Sequence, residues 1–404
     1  MYHSQRDTMI TAAQSQSRSL YVTLAPLPGL EEVERDWRAL ESRSDRSFFI
    51  SWGWIGAWLG ALPSSIRPEL LRVWSQGRIV AVGVLVPRLL RRHGVFLSRA
   101  LFLNSTGHPD LDALTIEYNG LLTERGFERA AARACVEFLL SRGDWDECFL
   151  DGLGDPGLFK SANGVRWLSR RQSKCRFVDL QALRQRGGAY LDLLGSNTRH
   201  NIRRSIREYE KFGSLSLESA ANPEQAATFL DGLVKLHQAY WQTKGEPGAF
   251  ANPFFLEFHT HLVRSLFADG SIQLLALRAG TETVGYLYNF VDRGHVYNYQ
   301  AGCNYALGAK SYGRPGLVLH SYAVEFNRTQ GHLLYDFMAG DSQYKQILGL
   351  GSTDMVWLVG QRPRLRFLVE DGLRWIRAQA VNSLSEMRKK GCESEGSVAQ
   401  PKTE

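Results

Sequence analysis

The sequence predicts an α+β fold with a mixed sheet, and it predicts that this fold occurs twice along the chain. The first observation is a repeated strand pair: a strand, a glycine turn and a second strand with a glycine near its start run from Leu71 and again from Leu274. The second is that the flanks repeat in the same order, with Phe-Phe before each hairpin and Val-Glu-Phe in the helical run after it. The third is the order of elements in the second half, strands and then helix, strand and helix, which is typical of helices packed on a mixed sheet. The copies start roughly 200 residues apart, far beyond the period of solenoid repeats, so two side-by-side domains are expected.

Length and composition fit this organisation. A chain of 404 residues suits two domains of ordinary size, and 44% apolar with 22% charged residues is typical of a globular protein. We predict the domains at residues 20–180 and 181–384. The ends, 1–19 and 385–404, are polar and are predicted to be disordered.

Cysteine usage and hydropathy bear on the compartment. Five scattered cysteines without a Cys-x-x-Cys pair argue against a disulfide framework and favour a reducing environment. The N-terminus lacks the apolar stretch of a secretory signal, and apolar runs such as 79–86 are too short to span a membrane. We therefore expect a cytoplasmic protein without a membrane span.

The elements of the second half follow from local signals in chain order. Ser196 is placed to cap a helix that ends before Gly213, and Pro223 lies in the first turn of the next helix. Largely apolar strands then form a meander, and a glycine-rich loop opens the following helix. The predicted ranges are helix 196–212, strand 214–218, a helix from 223 through Tyr240, helix 253–268, hairpin 272–290, strand 295–300, loop 302–316, helix 317–327, strand 332–337, a helix around Tyr344, strand 357–360 and helix 367–384.

The net charge of +7 comes mostly from arginine, which occurs in two groups. The guanidinium fork matches phosphate and carboxylate geometry, so an anionic ligand fits these groups. A solvated basic face is the alternative for each, and without a nucleic-acid motif we do not expect a nucleic-acid partner. The groups are Arg88, Arg91 and Arg92 between strands of the first half, and Arg199, Arg203, Arg204 and Arg207 on one predicted helix.

The glycine-rich loop predicts a phosphate site. A helix that begins after such a loop presents backbone N–H groups at its positive end, where phosphate binds. Arg314 adds a fixed positive charge at this point. Ordinary turn residues are the alternative interpretation of the glycines. The residues predicted to hold the anion are Gly308, Gly313, Arg314 and Gly316.

Two strings carry a resemblance to a known family. They are Asn197-Thr-Arg-His-Asn-Ile-Arg203-Arg204 and Tyr335-Asp336-Phe337-Met-Ala-Gly340-Asp341-Ser-Gln-Tyr344-Lys345. With the order of elements, they make the chain resemble the GNAT acyltransferases over about residues 20–385, most closely the CelD-like branch found with cellulose and exopolysaccharide synthesis. Two such domains in tandem resemble the Fem-type aminoacyltransferases. In place of the family's usual Gln/Arg-x-x-Gly-x-Gly/Ala string, the loop has Gly308-Ala…Gly313-Arg314-Pro-Gly316.

The resemblance implies acyl transfer from acyl-coenzyme A, with acetyl-coenzyme A as the expected co-substrate gripped by the glycine-rich loop. It implies that Tyr344 protonates the departing thiolate. Asp341 is suited to accept the nucleophile's proton or bind an ammonium group, and Lys345 to hold a phosphate or a developing oxyanion. Each has a structural alternative: Asp341 as a helix cap, Tyr344 as a core residue, Lys345 as a solvated charge, and Asp336 as a cap at its strand end. The residues predicted to contact substrate are Arg203, Trp241, Tyr299 and Asp336.

These expectations combine into one hypothesis with two rivals. The main hypothesis is acetyl transfer to an amine or hydroxyl of a small-molecule or sugar-linked acceptor, in the second domain. In the first half, Asp151 takes the place that Asp336 has in the second, but no Tyr-Lys pair follows it. We therefore expect the first half to shape the acceptor site without doing chemistry. The rivals are a Fem-like transferase using aminoacyl-tRNA, and a non-enzymatic subunit of a polysaccharide synthesis complex. The scattered histidines, with His259 and His261 on different helix faces, predict no metal site.

Overall fold

The computed structural model describes residues 19–92, 96–161, 163–308, 313–367, 369–370 and 372. The segments 1–18 and 385–404, predicted to be disordered, and most of the predicted closing helix lie outside these ranges. Every helix within them is too short or too polar to cross a bilayer.

The first half places its elements in the order that the repeat predicts. Ser51 caps the second helix by accepting the N–H of Trp54, as short polar residues at helix starts do. The elements are β1 (Leu20–Pro26), α1 (Leu30–Glu41), α2 (Trp52–Ala61), β2 (Glu69–Ser75), β3 (Arg78–Arg92), β4 (Phe96–Leu103), β5 (Leu122–Thr123), α3 (Glu128–Ser141), β6 (Glu147–Leu153), α4 (Gly157–Lys160) and β7 (Arg166–Asp179).

Two helices of the second half begin with the same device. Asn222 and Asn252 accept N–H groups of the first turn, and a proline follows each of them. The elements are α5 (Leu180–Arg186), α6 (Ser196–Tyr209), β8 (Leu215–Ser219), α7 (Pro223–Thr243), α8 (Pro253–Leu266), β9 (Ile272–Ala279), β10 (Glu282–Asp292), β11 (His295–Cys303), α9 (Pro315–Thr329), β12 (Leu334–Ala339), α10 (Gln343–Leu348) and β13 (Gly351–Gln361).

A single mixed sheet runs through both halves. Its order is β1-β2-β3-β4-β6-β13-β7-β12-β11-β10-β9-β8, with β5 beside β3. β7 of the first half lies between β12 and β13 of the second, and β13 lies between β6 and β7. The last strands of the two halves therefore interlock at the centre of the molecule, and the halves share backbone hydrogen bonds.

The cores follow from the alternation of side chains across this sheet. On one face, α1, α2, α7 and α8 bury a single aromatic-rich cluster that spans both halves, in which Phe48 stacks on Phe290 with ring centroids 4.2 Å apart. On the other face, α3 covers the first half, while α5, α6 and α9 cover the second. One core is thus continuous across the junction of the halves.

The α+β fold with a mixed sheet and the tandem repeat are confirmed. Three details differ from the predictions. Ser196 begins α6 but Gly195 holds the cap position, so the predicted side-chain cap is absent at this helix start. Gly302 belongs to β11, so the loop starts later than expected. The last strand is longer than predicted, because it pairs along β6 and β7.

The repeat also aligns differently in detail. The strands of the first-half pair β4–β6 end their pairing at Phe102–Phe149, and those of β11–β12 end theirs at Tyr297–Asp336. Phe149 therefore occupies the position of Asp336, and the alignment of Asp151 with Asp336 was wrong by two residues. In the first half, the rings of Phe102 and Phe149 stack 4.5 Å apart at the end of the paired segment.

Candidate active site

The parallel strands β11 and β12 pair at one end only. Their register runs from His295–Leu334 to Tyr297–Asp336 and stops there. Beyond this point the strands separate and leave a cleft of about 800 Å³, lined on one side by residues 298–301 and Cys303 of β11 and on the other by Met338 and Ala339 of β12. Side chains from α7 on one face of the sheet, and from α9 and α10 on the other, also line it. The cleft therefore reaches both faces of the sheet, so two substrates can meet in it from opposite sides.

The N-terminus of α9 forms one wall of this cleft. The N–H of Val318 donates to the carbonyl of Arg314 at 3.2 Å, and Pro315 has no N–H. The N–H groups of Gly316 and Leu317 therefore precede the first four-residue hydrogen bond of the helix, and both residues line the cleft. With the guanidinium of Arg314 beside them, these groups form a cradle suited to phosphate.

Three of the four residues predicted to bind the cofactor lie together in this wall. They are Gly313, Arg314 and Gly316. Gly308 is not part of the lining: it has φ +86° and packs beside Tyr209 of α6. A methyl group added to Gly308 would lie 3.9 Å from the Cα of Gly313, so both ends of the loop are close.

Tyr344 lies in the cleft wall on α10. Its ring stacks on His320 at 5.0 Å and meets the edge of Phe337 at 6.2 Å. Burial raises the pKa of the Tyr344 phenol above its ordinary value, so the group stays protonated at neutral pH. Burial also lowers the pKa of His320 to about 3, which keeps that imidazole neutral. The pair offers the cleft an uncharged proton donor.

Lys345 lies in the cleft beside the end of β12. Its Nζ donates to the carbonyls of Ala339 at 2.7 Å and Met338 at 3.3 Å. Burial lowers the pKa of Lys345, while the carboxylates of Glu117 and Asp336 act in the opposite direction. These hydrogen bonds stabilise the separated end of β12. Because Lys345 also lines the cleft, a role in holding an oxyanion stays a prediction.

Two of the predicted substrate residues also line the cleft. Trp241 is 37% exposed, and its Nε1 donates to Nε2 of His237 at 2.9 Å. Tyr299 is more deeply placed: its hydroxyl donates to the carbonyl of Leu114 and lies 3.2 Å from Nε2 of His259. Trp241 therefore forms part of the rim, and Tyr299 part of the floor.

Three further predicted residues lie outside the lining. Asp341 is exposed just before α10, where Ser342 holds the cap position. Arg203 is exposed on α6, and its Nη2 pairs with Asp192 at 3.4 Å. The Asp336 carboxylate is buried and bound by the Tyr118 hydroxyl, His295 and the N–H of Met338. These positions do not bring Asp341, Arg203 or Asp336 into the cleft.

Sequence reasoning missed Glu117, a buried carboxylate of the first half that lines the cleft. Its Oε2 accepts the N–H of Ala339 at 2.8 Å. Burial raises the pKa of Glu117 to about 7, and the Ala339 hydrogen bond and Lys345 oppose this rise. A carboxyl group with such a pKa exchanges protons at neutral pH, as a general base must.

The segment 114–118, which carries Glu117, bridges the separated strands. Tyr299 of β11 donates to the carbonyl of Leu114, while Ala339 and Asp336 of β12 bind Glu117 and Tyr118. Thr115 and Tyr118 have positive φ angles of 46° and 50°, a conformation that non-glycine residues adopt rarely. Hydrogen bonds from both strands thus hold a strained segment at the base of the cleft.

Among the described residues, no group of three or more His, Cys, Asp or Glu side chains is arranged to hold a metal ion. The thiol of Cys303 lines the cleft, and burial raises its pKa to about 12, so it is protonated at neutral pH.

Comparison with known proteins identifies the class. Residues 196–346 match the family model of an acetyltransferase (GNAT) domain. This match covers the separated strands, the start of α9 and Tyr344. The chain therefore contains a GNAT-type acetyltransferase domain and is an N-acyltransferase enzyme; enzymes with GNAT domains generally use acyl-coenzyme A as co-substrate.

One solved structure has a similar fold over most of the chain. The structure of FemX superposes with a TM-score of 0.52 at 10% identity, covering 83% of this chain and 96% of FemX. The C-terminal domain of a putative lysylphosphatidylglycerol synthetase from Agrobacterium fabrum gives a TM-score of 0.49 at 13% identity, with 87% and 96% covered. A tandem GNAT protein from the clavulanic acid biosynthesis pathway gives 0.42 at 14% identity, with 84% and 98% covered. No curated protein matches the sequence significantly.

Proposed function

We propose that the protein transfers an acetyl group from acetyl-coenzyme A to an amine of a sugar-linked or small-metabolite acceptor. The observation that carries this proposal is that Arg314, the first-turn N–H groups of α9 and the protonated phenol of Tyr344 share one cleft. The first two suit the diphosphate of the donor and the third suits its sulfur. An amine acceptor is favoured over a hydroxyl because the enzyme class is that of N-acyltransferases.

The residues of the cleft divide into two sides. Arg314, Gly316 and Leu317 would hold the diphosphate at the start of α9, on the face of the sheet covered by α9 and α10. Tyr344, on the same face, would donate its proton to the sulfur as the carbon–sulfur bond breaks, which makes the thiol a better leaving group.

The acceptor would enter from the opposite face, where α7 contributes an aromatic rim. Tyr240 stacks on Tyr305 with centroids 4.8 Å apart, and Trp241 meets Tyr240 at 5.7 Å. Trp241 and Tyr305 are exposed, and tyrosine and tryptophan suit binding edges where an apolar face and a polar group are both needed. This rim supports a ring-bearing acceptor such as an amino sugar.

The string from Tyr335 to Lys345 also resembles the CelD-like branch, so the proposal includes a role in exopolysaccharide synthesis. The rival of a non-enzymatic subunit is not retained, because the matched domain is that of an acetyltransferase. Aminoacyl-tRNA remains the alternative donor, and it is tested below.

The experiment is to identify and measure the donor. Mass spectrometry of ligands retained on the purified full-length chain should detect coenzyme A or an acyl derivative. Titration calorimetry should give saturable binding of acetyl-coenzyme A, and glucosamine, used as an amine probe, should increase thiol release from it. Retained tRNA together with no binding of acetyl-coenzyme A would overturn the proposal and favour the aminoacyl-tRNA donor.

A further inference from the structure

Glu117 belongs to the half of the chain that lacks the donor site, yet it lies in the cleft of the other half. Its carboxylate is held at the end of β12 by the N–H of Ala339, three residues from the buried Asp336. The residues that line the cleft with it include Thr115, Asn298 and Tyr299. Glu117 therefore faces the space between the acceptor rim and the separated strands.

We infer that Glu117 is the general base of acyl transfer, so that the first half contributes a catalytic side chain to the site of the second. This inference rests on the proposed function and replaces the expectation that the first half does no chemistry. An acceptor amine is protonated at neutral pH and must lose a proton before it can attack. Among the described residues that line the cleft, Glu117 is the one carboxylate, and it is buried.

In this step two protons leave the acceptor nitrogen and the acyl carbon exchanges sulfur for nitrogen. The Glu117 carboxylate takes a proton from the acceptor ammonium, so an N–H bond breaks and an O–H bond forms. The free amine attacks the thioester carbonyl, a carbon–nitrogen bond forms and the carbon–sulfur bond breaks. Tyr344 gives its proton to the sulfur, and the second proton lost by the nitrogen passes through solvent to the phenolate. Glu117 then releases the proton that it took to solvent, so both side chains return to their starting states.

The surroundings of Glu117 set its proton affinity from several elements. Lys345 of α10 and Arg171 of β7 favour the charged form, while Asp336 of β12 disfavours it. Burial is the largest influence and raises the pKa of Glu117 to about 7. A base with this pKa is half ionised near neutral pH, which suits proton transfer at that pH.

The geometry also holds the carboxylate in place before any substrate binds. Segment 114–118 is tied to β11 by Tyr299 and to β12 by Ala339 and Asp336. Met338, beside Ala339, has a positive φ of 63°, so strain is present on both sides of the contact. Strained backbone held by surrounding structure is concentrated at functional sites.

The test compares the full-length wild type with Glu117→Gln, using thiol release from acetyl-coenzyme A with glucosamine or ethanolamine as probes. We expect kcat at neutral pH to fall by roughly a hundredfold or more, and the acidic limb of the pH–rate profile, with its midpoint near the pKa of Glu117, to disappear. The Kd for acetyl-coenzyme A should be unchanged. Asp151→Asn, which removes a partly buried carboxylate of the same half outside the cleft lining, is the matched control and should retain the wild-type profile.

Two outcomes would overturn the inference. One is a folded Glu117→Gln variant that binds acetyl-coenzyme A and keeps wild-type kcat with its acidic limb. The other is an infrared difference titration, wild type against variant, in which the carboxyl band of Glu117 does not titrate near neutral pH. The infrared result does not require turnover, so it tests Glu117 even if the probes are not accepted. Failure of the wild type to bind acetyl-coenzyme A would instead count against the proposed function.

Discussion

The hydroxyl of Tyr118 donates a 2.5 Å hydrogen bond to Oδ2 of Asp336, and this bond joins the first half of the chain to strand β12 of the second. Asp336 is buried, and it also accepts the N–H of Met338 and contacts His295 at 3.1 Å. Because Glu117 precedes Tyr118, this bond also fixes the position of the carboxylate in the cleft.

We expect Tyr118→Phe to destabilise the protein by about 1–3 kcal/mol, because a buried carboxylate loses one of its donors. The variant should also lower kcat, since the segment carrying Glu117 loses one of its ties. Chemical denaturation and steady-state kinetics measure the two effects. Tyr21→Phe on the exposed edge strand β1 is the control, and an equal loss of stability there would contradict the explanation.

Arg314→Ala should weaken binding of acetyl-coenzyme A by about tenfold to a hundredfold, because charge-assisted hydrogen bonds to phosphate contribute roughly 1.5–3 kcal/mol. Titration calorimetry measures the change. Arg203→Ala is the matched control: this arginine is exposed outside the cleft, and we expect its loss to leave the Kd unchanged. If Arg203→Ala weakened binding of acetyl-coenzyme A and Arg314→Ala did not, the donor site would instead lie at α6.

Tyr344→Phe should lower kcat by roughly a hundredfold or more and leave the Kd of acetyl-coenzyme A almost unchanged, since the phenol is needed only when the sulfur departs. Burial holds the pKa of Tyr344 above its ordinary value, so the wild type should show no loss of rate from phenol ionisation near neutral pH. Tyr322→Phe on α9, outside the cleft, is the control. Full activity of Tyr344→Phe would exclude this residue as the acid.

Gly152→Ala should destabilise the protein by at least about 1 kcal/mol and reduce activity. Gly152 has φ +70°, and a methyl group there would lie 2.5 Å from the carbonyl oxygen of Ile116, pushing on the residue before Glu117. Gly154→Ala is the control, because its methyl group would meet Tyr118 at an ordinary 3.5 Å. Melting temperatures and kcat of the two variants separate the local clash from a general effect of alanine.

Glu117→Gln should be more stable than the wild type at alkaline pH. The folded state raises the pKa of Glu117 from 4.5 to about 7, so it binds more protons than the unfolded state between these values. The stability from this group is therefore fully present below 4.5 and is lost as the pH rises through about 7, by up to about 3 kcal/mol. Urea denaturation at about pH 4 and about pH 8 measures the difference between wild type and variant.

The gain in stability at alkaline pH should be absent in Glu137→Gln, which alters an exposed glutamate of α3. If the stability of Glu117→Gln relative to the wild type were the same at alkaline and acid pH, the carboxylate would not be held in a desolvated position.

The proposed donor half of the site was accessible from sequence because it is local. Glycines, a proline and Arg314 directly precede an apolar helical run, and Tyr344 lies eight residues after Asp336 in one string. Local spacing of this kind predicts a helix N-terminus and the residues near it. The same reasoning overvalued Asp336 and Asp341, because residue type and spacing do not tell which way a carboxylate points or what already binds it.

Glu117 had no comparable signal. It lies in a loop of the first half, more than 170 residues from both of the strands that separate around it, and no motif surrounds it. Only the pairing of Tyr299 with Leu114, Ala339 with Glu117 and Asp336 with Tyr118 brings it to the cleft. Its proton affinity likewise comes from burial, which depends on every element packed around it.

The sequence by itself determined the repeated α+β fold, since alternating apolar strands, glycine turns and capped helices act over a few residues. It also determined the helix N-terminus and the tyrosine expected to serve the donor. The tertiary structure alone decided that β7 and β13 interlock the two halves and that a loop of the first half enters the cleft of the second. Those choices depend on long-range strand pairing and on the desolvation of a carboxylate, and both depend on contacts between residues far apart in the chain.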